Sequence, residues 1–137
     1  MIIGLNEIDR VVEALKKSID GKDSVVLLQG DLSSGKTTFV QRYVKSCGIN
    51  EEVTSPTFSL QTMYADKIFH YDVYNKTFDE FLSLGFLEEF EKSGVHFVEW
   101  GGDELKNLLL KLGFRVIVLK IEHKDDKREY KIEEFDA

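Results

Sequence analysis

In the run GDLSSGKTT, Gly30 to Thr38, the residues Gly30, Gly35, Lys36 and Thr37 satisfy G-x-x-x-x-G-K-[ST]. The chemistry open to such a run is phosphate binding. Glycines let successive backbone N–H groups turn inward around a β-phosphate, and a helix starting at Lys36 adds the positive end of its dipole. Lys36 would reach the β- and γ-phosphates, and Thr37 would give its hydroxyl to a Mg²⁺ bridging the same two groups. Asp31, Leu32, Ser33, Ser34 and Thr38 complete the cradle. A plain turn with an exposed lysine would leave the hydroxyl cluster of Ser33, Ser34, Thr37 and Thr38 unexplained.

A phosphate loop needs a carboxylate for the Mg²⁺ shell, normally at the C-terminal end of a neighbouring buried strand. Glu99 ends the apolar run GVHFVEW and meets that requirement. An unpaired carboxylate there would be costly unless a cation or water met it, and the alternative is a Glu99 lying past the strand in solvent. Trp100, next to it, would by itself read as core. In HYDVY, the side chains of His70, Asp72 and Tyr74 alternate and so share one face of a strand. They are either site residues or the solvated face of an edge hairpin. VTSPTF holds the sole proline, Pro56, which fixes the loop so that Thr54, Ser55 or Thr57 could be held toward a γ-phosphate; a simple Ser-Pro turn is the competing reading.

These residues need elements to hold them. Asn6 can cap a first helix carrying Ile8, Val11, Val12, Leu15 and Ile19 inward, with Gly21 as its stop. SVVLLQG reads as a strand buried on both faces, leading into the loop and then a helix with Phe39, Val40, Tyr43 and Val44 inward. The runs TFSLQTMY and KIFHYDVYN, separated by Ala65 and Asp66, predict an antiparallel hairpin. Thr77 with Glu80 forms a capping box for a short helix with Phe78, Phe81 and Leu82, and Gly85 separates it from FLEEFEK. A last helix from Asp103 would bury Leu105, Leu108, Leu109 and Leu112 and stop at Gly113. FRVIVLKIE and REYKIEEF then read as strands around the turn HKDDK. The sum is an α/β fold: a three-layer domain of P-loop NTPase type, with a mixed β-sheet flanked by helices, formed as a single domain over residues 1–137.

Composition narrows the function. The 137 residues are 42% hydrophobic and 31% charged with one Pro, as in a compact domain, and neither a membrane-spanning run nor a signal peptide is visible, which predicts a cytoplasmic protein. The lone Cys47 reads as a small apolar residue on a helix. A net charge of −7 with only four arginines, Arg10, Arg42, Arg115 and Arg128, disfavours independent binding to nucleic acid, so RNA would be reached through a partner.

Taken together, GDLSSGKTTF, VTSPTFSL, HYDVYN, LGFLEEF and VEW, in this order, resemble the bacterial TsaE family, also called YjeE, over about residues 5 to 120. The resemblance implies a small ATPase using ATP and Mg²⁺. It would work with TsaD and TsaB type proteins to make the threonylcarbamoyl modification on the adenosine beside the anticodon of certain tRNAs. It implies phosphate and Mg²⁺ roles for Lys36 and Thr37, a second Mg²⁺ ligand in Glu99 with Trp100 as its companion, a residue needed for hydrolysis in Asp72, and a switch-like threonine in Thr57. The chain departs from the family at Ser33, where Gly is usual; at positive φ a serine is strained by about 1 to 2 kcal/mol. Rival readings are a small-molecule kinase, for which no Arg-rich lid is visible, and a nucleotide-sensing module without hydrolysis, against which Asp72 and Glu99 argue.

Overall fold

A computed structural model describes residues 2–3, 7–30, 35–49, 61–65, 67–73, 77–100, 102–124 and 126–135. Asn6, Asp31 to Ser34, the VTSPTF segment with Thr57, and Tyr74 lie outside the described residues. The elements are β1 (Ile2–Ile3), α1 (Ile8–Ile19), β2 (Ser24–Gln29), α2 (Lys36–Ser46), β3 (Gln61–Tyr64), β4 (Ile68–Asp72), α3 (Phe78–Ser83), α4 (Phe86–Glu89), β5 (Val95–Glu99), α5 (Asp103–Lys111), β6 (Val116–Lys124) and β7 (Lys127–Phe135).

The described strands form one sheet in the order β1-β7-β6-β2-β5-β4-β3. The interior run β6-β2-β5-β4 is parallel, while β1 on β7, β7 on β6 and β3 on β4 are antiparallel. Alternation along the central strands feeds two cores. Val26, Leu28, Phe97, Ile117 and Leu119 pack with α1 and α2, whereas Val25, Leu27, Val98, Val116 and Val118 pack with Phe81, Phe86, Leu105 and Leu109 from α3, α4 and α5. Three layers result, with a mixed sheet between helices, as the order of patterns predicts.

Local chemistry fixes several of these elements, and the capping box is one the sequence predicts. Thr77 and Glu80 form both bonds of the capping box. Gly94, at φ +134°, immediately precedes β5, where a Cβ would lie 2.2 Å from the Lys67 carbonyl oxygen, so only glycine fits. His96 is buried in the second core, stacked 4.3 Å from Phe69; its Nε2 faces the Lys92 carbonyl at 2.8 Å and its Nδ1 the Tyr71 hydroxyl at 2.7 Å.

Other expectations need correction. Leu112 is 54% exposed and is the C-cap of α5, because the helix ends one residue short of it; Leu105 and Leu109 are the buried pair. Cys47 is not within α2 but caps it, half-buried against the first core. The turn HKDDK is shorter than expected, because the ladder runs on to Lys124 opposite Lys127. Left-handed Asp20 starts the stop of α1 one residue before Gly21.

Candidate functional site

The parallel strands β2, β4 and β5 end together. Leu28 lies opposite Glu99, which lies opposite Asp72, and from this edge the chain leaves β2 through Gly30 toward α2. Gly35 caps α2 at φ +101°. A Cβ there would meet Arg128 no closer than 3.5 Å, so backbone conformation rather than space requires glycine.

Lys36, the first residue of α2, is only 3% exposed. Its Nζ donates to the Gly30 carbonyl at 2.7 Å and lies 3.8 Å from the centre of the Trp100 ring. The ammonium is thus held between a loop carbonyl and an indole face, a cation–π placement. Trp100 is therefore not simply core: it is half-buried and covers the lysine. Its backbone N–H donates to the Leu28 carbonyl at 3.1 Å, extending the β2–β5 pairing by one residue, and its φ of +72° is a strained value for a bulky residue, costing about 1 to 2 kcal/mol.

Beside the lysine, the Thr37 hydroxyl donates to Glu99 Oε2 at 2.8 Å. The same oxygen lies 2.5 Å from His70 Nε2. Glu99 is 4% exposed and His70 fully buried, so Glu99 does not stand in solvent past its strand. HYDVY is not an edge face either, because β4 is paired on both sides, by β3 and β5. Asp72 is half-buried at the end of β4, and just beyond it the Val73 N–H donates to the Glu99 carbonyl at 3.3 Å.

Of the residues singled out in the sequence, Gly30, Gly35, Lys36, Thr37, Asp72, Glu99 and Trp100 therefore meet at one edge of the sheet. Thr38 lies one residue further along α2, facing a small cavity of about 100 Å³ that it lines with Ile8, Gly35, Arg128 and Tyr130. Arg128 was legible only as one of four arginines; nothing in KREYK announces that β7 brings it against the loop. A larger cleft of about 330 Å³, lined by Val73, Phe81, Trp100 and Leu105 among others, shares only Trp100 with the lysine contact.

Thr37 and Glu99 offer hard oxygen donors, the kind Mg²⁺ selects. Among the described residues no cluster of three His, Cys, Asp or Glu side chains could hold a metal ion.

The family model described as threonylcarbamoyl adenosine biosynthesis protein TsaE matches residues 4–131. The chain belongs to the TsaE family. A relative described as tRNA threonylcarbamoyladenosine biosynthesis protein TsaE, from Treponema pallidum (strain Nichols), is 39% identical over 100 residues, covering 69% of this chain and 74% of that one. Relatives of the same description from Rickettsia felis and Bacillus subtilis (strain 168) are 38% and 43% identical, and the matched regions cover 75% and 56% of this chain but 61% and 49% of those proteins. A crystal structure of Bacillus subtilis YdiB superposes on this TsaE-family fold with a TM-score of 0.66 at 29% identity, covering 96% of this chain and 82% of that one.

Proposed function

We propose that the chain is an ATPase of tRNA threonylcarbamoyladenosine biosynthesis. It binds ATP with Mg²⁺ at the Gly30 to Thr38 loop and acts with TsaD and TsaB type partners, through which tRNA is reached. The observation that carries this reading is the contact of Thr37 with Glu99 at 2.8 Å beside a buried Lys36. It joins the start of the loop helix to the end of a neighbouring strand, where a metal shell is needed. The pathway rests on the relatives' descriptions, and the chain's −7 charge favours contact with a protein rather than with a phosphate backbone.

In this mechanism Lys36 leaves the Gly30 carbonyl and the Trp100 face and reaches the β- and γ-phosphates. The N-terminus of α2 adds donor N–H groups and its dipole. Thr37 and Glu99 would hold Mg²⁺, which when bound supplies charge neutralisation across those phosphates. Asp72, on the strand next to Glu99, orients the attacking water, a role that matters mainly in the transition state. Thr57 takes the switch-like role, and Asp31, Leu32, Ser33 and Ser34 are assigned to nucleotide binding with the rest of the loop. The proposed site of action is the cytoplasm; among the described residues no helix is long and apolar enough to cross a membrane.

The test is phosphate release from ATP with Mg²⁺, measured with and without TsaD and TsaB type partners. Release that rises on adding them is expected; none under either condition would refute the ATPase reading.

A further inference from the structure

His70 has no part in the mechanism above, yet it is fully buried and its ring makes one short polar contact. Nε2 lies 2.5 Å from Glu99 Oε2, while Nδ1 has no hydrogen-bond partner among the described residues. A contact that short is attractive only if one atom carries a proton, which a carboxylate acceptor assigns to Nε2 of the imidazole. Glu99 Oε2 then accepts twice, from His70 and from Thr37, and Oε1 accepts no hydrogen bond from any described residue. The terminal torsion of a glutamate is broad when nothing holds it. Two donors from different elements, β4 and α2, fix the carboxylate plane, and among the described residues no donor occupies Oε1.

We infer that His70 is a positioning residue for the metal site: its Nε2–H pins Glu99 so that the carboxylate is set for Mg²⁺ before nucleotide arrives. This rests on the reading of the loop as a site for ATP with Mg²⁺. Partners that orient a ligating side chain typically change metal affinity by about 10- to 100-fold when lost.

The experiment compares ATP affinity by calorimetry with Mg²⁺ and with EDTA, for the wild type, His70→Phe, which keeps ring volume without a donor, and His70→Gln, which keeps an amide N–H. The gain in affinity from Mg²⁺ should fall about tenfold or more in His70→Phe and largely return in His70→Gln, with metal-free affinity within about twofold throughout. An undiminished Mg²⁺ gain in His70→Phe would overturn the inference while leaving the loop assignment intact. Failure of the wild type to bind ATP would instead overturn the loop assignment and this inference with it. Nitrogen-15 NMR of the wild type, without nucleotide or metal, should show His70 protonated on Nε2 with a bare Nδ1. A proton on Nδ1 alone would refute the inference even if His70→Phe does not fold.

Discussion

Gly94→Ala should separate the stability of the sheet from the chemistry at its edge. The new Cβ would lie 2.2 Å from the Lys67 oxygen and 2.9 Å from its carbonyl carbon, so β5 and the start of β4 must part by about 1 Å to reach ordinary contact. That carbonyl accepts the Val95 N–H at 2.9 Å, and Gly94 itself bonds Asp23 and Ser24, so little slack exists. Overpacking of about 1 to 3 kcal/mol, about 1 kcal/mol of backbone strain for alanine at a φ of +134°, and one weakened hydrogen bond of about 1 kcal/mol together give about 3 to 5 kcal/mol. For a chain of this size that is a fall in Tm of roughly 10 to 20 °C. Glu99 lies five residues further on, about 16 Å along the strand. ATP affinity at low temperature, where the variant is folded, should therefore stay within about twofold of wild type. Urea unfolding and calorimetry measure the two quantities. A stability loss under about 1 kcal/mol would refute the steric reasoning, and an equal loss of affinity would refute the claimed independence of the two ends of β5.

Lys36→Met, which keeps the stem and removes the ammonium, should weaken ATP binding by about 10- to 100-fold through loss of a charge-assisted contact; unchanged affinity by calorimetry would contradict the loop assignment. Asp72→Asn should spare ATP binding but lower partner-stimulated phosphate release about a hundredfold, and a wild-type rate in the assembled complex would move the catalytic role elsewhere. Burial lowers the pKa of His96 below its ordinary 6.5, so the unfolded chain takes up the proton first; the stability this group contributes is complete above pH 6.5 and is lost as pH falls through the folded-state value. His96→Gln should accordingly flatten the acid side of the stability curve by up to about 1.4 kcal/mol per pH unit, and parallel curves for the two proteins would disprove it.

Much of this was legible because the signals are local. A glycine loop between an apolar run and a helix, a capping box at Thr77, and Glu99 at the end of GVHFVEW each follow from residue chemistry at short range. What stayed hidden depends on neighbours distant in sequence. The alternation in HYDVY serves a wet edge and a buried site equally well, and only the pairing of β4 with β5 decides between them. Arg128 reads as one charge among many on KREYK until β7 folds back beside β6. The two-residue β1 is too short to leave a pattern, and the charges of HKDDK resemble a wide turn although the ladder continues through them. Trp100 reads as core from its size, whereas its left-handed backbone turns the ring over Lys36.

The pairing of β2 also bears on when the site can exist. Ser24 finds Val95 on one side and Val25 finds Val116 on the other, both far downstream. Closing such loops before any reward from contact slows folding, and parallel pairing across long separations is the slowest kind. On the ribosome the glycine loop emerges early, but the strand beneath it has no neighbours until β5 and β6 have been synthesised. A nascent chain ending before Glu99 carries the whole phosphate-binding motif and nothing to hold it in shape. Competence to bind nucleotide should therefore arise late in synthesis, in one step with closure of the sheet.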